Sequence, residues 1–330
     1  MIISRTPLRM SFTGGGTDIP AFYRRHGGAV VSTAIDRYVY ITVNPKFDER
    51  VRVSYSRTEE TSSAARVQHP LVREALQTTG ITGGVEITSV ADIPARGTGL
   101  GSSSTFTVGL LNALHAQAER HASAEQLARE ACEIEIERCG EPIGKQDQYA
   151  AAYGGLNYLE FRQDGTVAVE PIICRRETLE GIQQQLLVFY TGITRSASKV
   201  LQRQSAALRS GRKAMNAMKR MAELARELRR GLQRNQPQVL AETVHENWEL
   251  KRSLAKGISS SAIDAWHKKA MKAGASAGKL LGAGSGGFLM FLADPSRHEA
   301  IRRTLSDLRE VPFQFEPRGS QIIFVHHPRR

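Results

Sequence analysis

At 330 residues the chain exceeds the length at which a single hydrophobic core usually stops growing, so two domains are expected. Its 41% hydrophobic and 24% charged residues argue against extended disorder, no apolar run reaches the roughly 20 residues of a membrane span, and Met1-Ile2-Ile3-Ser4-Arg5 carries no signal-peptide pattern, so a cytoplasmic protein with no membrane partner is expected. The net charge of +12 leaves nucleic-acid binding and attraction of small anions open, while three cysteines without a C-x-x-C pair and nine histidines without ligand spacing exclude a disulfide framework and a usual transition-metal site.

The first 55 residues read as strand segments at Ile2-Ile3, Leu8 to Phe12, Ala29 to Val31, Tyr38 to Val43 and Arg50 to Tyr55, with β-branched or aromatic alternation between glycine turns. A helix is expected over 67 to 79, a strand over 84 to 89 and a helix from about Ser103 to Arg120. Ser123-Ala124-Glu125-Gln126 has the capping-box pattern and starts a helix to about Cys139, which Pro142-Ile143-Gly144 separates from another beginning near Asp147. Asp164-Gly165 centres a hairpin within 156 to 174. Beyond a boundary near 181, a strand at 186 to 190 leads into helices near 196 to 231, 236 to 255 and 260 to 273. The first of these carries many basic residues between Lys199 and Arg230, which read as the solvated face of an amphipathic helix. The end alternates a strand at 286 to 292, a helix at 296 to 308 and strands at 311 to 315 and 321 to 326.

Three glycine clusters punctuate this pattern. Pro94-Ala95-Arg96-Gly97-Thr98-Gly99-Leu100-Gly101-Ser102-Ser103-Ser104 lies between a strand and a helix, where glycine lets backbone approach a polyanion and the helix N-terminus aims amides at it. It lacks the Gly-Lys-Ser/Thr ending of the Walker loop. Gly282-Ala283-Gly284-Ser285-Gly286-Gly287 formally matches the dinucleotide fingerprint, but is read as following a helix and preceding a strand, the wrong order for that use. Gly14-Gly15-Gly16, followed by Thr17 and Asp18, sits after the first strand, which carries Arg9. Together the three loops look like walls of one site.

In these motifs and their order the chain resembles the GHMP kinase family across nearly its whole length. The carriers are Arg5-Thr6-Pro7-Leu8-Arg9 with Gly14-Gly15-Gly16-Thr17-Asp18, the loop from Pro94 to Ser104, and Lys279 to Phe288. The resemblance implies an α+β fold of two domains, a ribosomal-protein-S-five-domain-two-like one over 1 to 181 and a ferredoxin-like one over 182 to 330. It implies transfer of the ATP γ-phosphate to the anomeric hydroxyl of a sugar, with a heptose 7-phosphate the first expectation because the Gly-Gly-Gly-Thr-Asp variant is similar to the branch that acts on heptose 7-phosphate and fucose; fucose, galactose or a non-sugar alcohol is the alternative acceptor.

Carried over residue by residue, Asp147 is the proton acceptor, and Arg9 its cation, which keeps a carboxylate ionised. Pro94, Arg96, Gly97, Gly99, Leu100, Gly101, Ser102, Ser103 and Ser104 bind ATP, and Gly282, Gly284, Ser285 and Gly286 lie near the γ-phosphate. Gly16, Thr17 and Asp18 meet the sugar. Ser103 and Glu137 hold Mg2+, with Glu133 or Glu135 as replacements. Arg24, Arg25, Lys145 and Arg195 are candidates for a substrate phosphate. A basic nucleic-acid-binding module is the rival, but 6% aromatic residues in no stacking arrangement weaken it, so no nucleic-acid partner is expected. Homo-oligomerisation is expected from general frequency alone.

Overall fold

The computed structural model describes residues 1–93, 97–194, 200–203, 206 and 211–326. Strands β1 (Ile2–Thr13) and β2 (Gly28–Pro45) form an antiparallel pair at the centre of an eight-stranded sheet. Helix α1 (Pro20–His26) connects them, with Pro20 in its first turn and Gly27 past its end, both ordinary helix boundary signals. Pro7 pairs with Tyr38 but Leu8 with Ile35, which leaves Asp36 and Arg37 as a bulge. The two fragments read from sequence at 29 to 31 and 38 to 43 are therefore one strand with a bend, since a bulge increases local twist.

The bend lets β2 serve two neighbours. Its later half pairs with β5 (Val85–Ala91), which β3 (Val51–Ser54) joins in parallel; β4 (Thr58–Thr61) extends that edge. Helix α2 (Pro70–Thr79) lies in the β3 to β5 connection. The earlier half of β2 pairs with β6 (Leu156–Phe161), and β6 with β7 (Val167–Pro171).

Helix α3 (Ser102–Gln117) packs on β1. A Cβ on Gly109 would come 2.7 Å from the Thr6 hydroxyl, and Ser4 donates to the Gly109 carbonyl at 2.7 Å, so a residue that weakens a helix on its own permits close contact here. The Ser123 hydroxyl accepts from the Gln126 N–H at 3.2 Å and starts α4 (Ala124–Cys132). The helix then widens into a π-helical turn, Glu133–Arg138, before α5 (Gln146–Tyr153).

The second sheet comprises β8 (Leu186–Tyr190), β9 (Ala277–Leu280), β10 (Phe288–Leu292) and β11 (Arg309–Glu310) in the order β11-β8-β10-β9, all antiparallel. Helix α6 (Arg176–Gln185) precedes it. Its first crossover holds α7 (Arg212–Gln233), α8 (Gln238–Leu254) and α9 (Ser261–Lys272), and its second α10 (His298–Thr304). This strand order is ferredoxin-like, and the chain has the two-domain α+β architecture expected. The apolar stripe of α7, with Met218, Met221, Leu228 and Leu232, is buried, while Arg220 on its polar side pairs with Glu227 and Glu246. That accounts for part of the basic run without a nucleic acid.

The chain does not finish in the second sheet. Strand β12 (Gln321–Val325) returns to pair with β1, and the Gly155 N–H donates to the Glu316 carbonyl at 2.8 Å. A division at 181 thus leaves the last strand with the first sheet. The strand expected at 311 to 315 is reduced to one bridge between Ile35 and Phe315. Helices α1 and α6 and strands β4 and β9 were not read from sequence. The helix read over 196 to 231 begins partly outside the described residues.

Candidate active site

β1 ends in the triple-glycine turn. Gly14 and Gly16 have φ of +83° and +103°, and a Cβ on Gly14 would lie 1.9 Å from the Ala29 carbonyl oxygen, so the turn packs backbone to backbone on β2. Thr17 is spent on the same contact: its hydroxyl donates to the Ala29 carbonyl at 2.9 Å and accepts from the Ala29 N–H at 3.0 Å. The residue is wholly buried. In this structure its hydroxyl anchors the turn to β2. Asp18 faces the start of α5, where its carboxylate accepts from the Gly16 N–H at 2.9 Å and from the backbone and side-chain amides of Gln146 at 3.1 Å each. Burial, and then the charge of Asp147, raises its pKa above the ordinary value.

Asp147 occupies the first turn of α5, where a helix favours negative charge. Arg9 donates to its Oδ1 from Nε at 2.7 Å and approaches the same oxygen with Nη2 at 2.6 Å. The third contact of Arg9, from Nη1 to the Gly99 carbonyl at 2.8 Å, ties this ion pair to the phosphate loop. The Arg9 side chain is 4% exposed and that of Asp147 26%, so the pair is closed on the arginine side and open to solvent on the carboxylate side.

In the phosphate loop Gly97, Gly99 and Gly101 have φ of +71°, +77° and +79°. Gly101 is the N-cap of α3, and no side chain caps that end. The first N–H groups of a 16-residue helix are therefore left to an outside acceptor, a setting that suits phosphate. Ser102 bonds Thr98 through its hydroxyl at 3.1 Å, Leu100 is buried, and Ser103 is exposed. Ser104 points inward and donates to Glu135 at 2.7 Å, so its hydroxyl is engaged within the protein. Pro94 and Arg96 lie outside the described residues, as does Arg195.

Two acidic residues of the π-helical turn part company. Glu137, expected at the metal, is exposed, whereas Glu135 is 1% exposed and accepts from Ser104, Thr107 and Gln148. Residues two apart on a helical turn point to nearly opposite sides, and here Glu135 rather than Glu137 faces the foot of the loop. Burial pushes the Glu135 carboxyl up to about 7 against the pull of its three donors, and Asp147 adds to the rise.

The third glycine loop connects β9 to β10 and is a hairpin turn between paired strands, which corrects the reading that it follows a helix. A Cβ on Gly282 would lie 2.3 Å from the Gly99 Cα, and one on Gly287 2.2 Å from the Thr98 carbonyl oxygen. The two loops thus touch through bare backbone. Gly284 and Gly286 pack equally tightly on Ile258 and Ile193, and the Ser285 hydroxyl donates to the Gly257 carbonyl. Lys145 directs its ammonium to the Gly165 carbonyl at 2.7 Å and lies 5.4 Å over the Tyr23 ring, on the hairpin side. Arg24 and Arg25 are exposed on α1.

Residues 64–155 match the GHMP kinases N terminal domain and residues 213–309 the GHMP kinases C terminal domain. The chain belongs to the GHMP kinase family. It is 28% identical to the D-glycero-alpha-D-manno-heptose 7-phosphate kinase of Campylobacter jejuni, over 96% of this chain and 97% of that one. It is 26% identical to the Bifunctional fucokinase/GDP-fucose pyrophosphorylase of Arabidopsis thaliana, over 92% of this chain but 31% of that one. The crystal structure of a D-glycero-D-manno-heptose 1-phosphate kinase from Bacteroides thetaiotaomicron superposes with a TM-score of 0.81 at 26% identity, covering 99% of this chain and all of that one.

Within this GHMP kinase the fold brings Arg9, Asp18, Gly99, Gly101, Asp147 and Gly282 into one cluster. Two lysines that the sequence reading gave no role lie beside it. Lys279, on β9, is 1% exposed and donates to the Ser11 and Phe12 carbonyls at 2.7 and 2.8 Å. Lys251, on α8, is 5% exposed and donates to the Gly282 carbonyl at 2.7 Å. Burial lowers both, Lys251 to about 8, where Asp18 and Asp147 oppose the fall. Helix periodicity alone marks Lys251 as one more charge on a surface helix, so the signal was absent from sequence.

Proposed function

We propose that this GHMP kinase transfers the γ-phosphoryl group of ATP to the anomeric hydroxyl of a sugar phosphate, with a heptose 7-phosphate as the preferred acceptor. The observation that carries the reading is Arg9 bridging Asp147 to the Gly99 carbonyl, because it couples a cleft-facing carboxylate to the loop built for phosphate. Asp147 takes the hydroxyl proton, the freed oxygen attacks the γ-phosphorus and ADP leaves. Arg9 holds the carboxylate in place and neutralises charge developing on the oxygen. The open amides of α3 take phosphate oxygens, and Asp18 orients the sugar.

No group of three or more His, Cys, Asp or Glu side chains among the described residues forms a metal cage. A cation here would rest mainly on nucleotide oxygens, which is how Mg2+ is commonly held. Ser103 and Glu135 would hold it on the protein side with hard oxygen donors. Bound Mg2+ would neutralise phosphate charge.

The heptose preference rests on the Campylobacter jejuni and Bacteroides thetaiotaomicron relatives. Fucose and galactose are the alternatives, since the fucokinase-containing enzyme of Arabidopsis thaliana and the galactokinase of Pyrococcus furiosus are each 26% identical. ADP release with ATP, Mg2+ and a panel of phosphorylated and free sugars tests the reading. Asp147→Asn should lower kcat by about 10² to 10⁴ while ATP binding holds. Unchanged kcat in the folded variant removes Asp147 from this role.

A further inference from the structure

Asn247 and Lys251 are one turn apart on α8, so they share a face of that helix. Both are more than nine-tenths buried. Asn247 Oδ1 accepts from the Gly14 N–H at 2.9 Å, which fixes the orientation of the amide and leaves Nδ2 as a buried donor with no partner among the described residues. Lys251 spends one N–H on the Gly282 carbonyl. An ammonium has three, so two remain for other acceptors. Across the turn, Gln146 Oε1 is a buried acceptor with no partner among the described residues, and an ideal Cβ on Gly15 would sit 3.7 Å from it.

Unpaired donors and acceptors are costly when buried, and most such groups in folded proteins are satisfied. Here two residues from the second half of the chain and one from α5 leave theirs around the same glycine turn, beside Asp18. A hydroxyl group both donates and accepts, so a polyhydroxylated molecule complements this set. Resting on the sugar-kinase reading above, we propose that Asn247 and Lys251 are acceptor-binding residues, forming a wall of the sugar pocket that reads hydroxyl oxygens near the reacting one. The helix that carries them also holds Gly14 and Gly282, so the wall is built from contacts that join the two halves.

Asn247→Asp keeps an oxygen for the Gly14 N–H and removes the Nδ2 donor. Lys251→Met keeps most of the chain length and removes the charge and all three donors. With the best sugar of the panel, each should lower acceptor kcat/KM by about ten- to a hundred-fold and leave the ATP KM within about twofold. Deoxy sugars, each lacking one hydroxyl, separate contact from structure: for the sugar without the hydroxyl that Asn247 reads, Asn247→Asp should cost almost nothing more. If Lys251→Met does not fold, Lys251→Arg serves, because it keeps the charge and displaces the donors, and the same selective loss is expected. Folded variants with wild-type acceptor kcat/KM, or with an equal loss for every deoxy sugar, overturn the inference and leave the sugar-kinase reading intact. A wild-type enzyme that turns over no sugar overturns both.

Discussion

Replacing Glu135 by Gln removes a titrating group from beneath the phosphate loop while keeping the shape of the side chain. The wild-type carboxyl is 1% exposed and is raised from 4.5 to about 7, first by burial. A group that holds its proton more tightly in the folded state adds stability that is complete below the unfolded pKa. That stability is lost as pH rises through the folded pKa. That rise corresponds to about 3 kcal/mol in total, of which roughly 2 to 3 kcal/mol falls between about pH 5 and pH 8. Urea unfolding of both proteins across that range, at constant ionic strength, measures the effect. The wild type should lose this amount relative to Glu135→Gln as pH rises, whatever fixed offset the lost oxygen introduces. Parallel pH curves would refute the reasoning, because they would mean that the carboxyl is neither as dry nor as raised as its surroundings require.

Gly282→Ala places a methyl group 2.3 Å from the Gly99 Cα at a φ of +75°, so the two glycine loops must separate. A displacement of about 1 Å is expected to lower kcat/KM by about 10²-fold, whereas Gly80→Ala, at φ +74° with open space, should lose only about 1 kcal/mol of stability and no activity. Equal activity losses in the two variants would count against the loop contact. Asp18→Asn substitutes a donor for one of the oxygens that accept from Gly16 and Gln146. It should lower stability by about 1 to 3 kcal/mol in thermal melts and weaken the acceptor kcat/KM more than the ATP KM; an unchanged melting temperature rejects the bonding described.

Local chemistry was legible wherever the backbone itself demanded a residue type. The Ser123 cap, the hairpin at Asp164-Gly165 and the left-handed glycines of the phosphate loop all reflect constraints that act within a few residues. The pairing of Arg9 with Asp147 was expected from resemblance, not from periodicity, because 138 positions separate them. Short elements with weak alternation, such as β4 and β9, were not legible, since their pairing comes from neighbours distant in the chain.

Length and glycine spacing by themselves set out two domains and three glycine loops that read as walls of one site, while the α+β fold came from the resemblance those motifs carry. Tertiary structure alone decided which polar side chains lie beside those loops. Glu135 and Glu137 differ only in the phase of a π-helical turn, Thr17 turns to β2 while Asp18 turns to α5, and Asn247 and Lys251 reach the site because α8 packs against the Gly14 turn. A side chain's direction depends on what its element packs against, and those contacts join residues that no short stretch of sequence contains together.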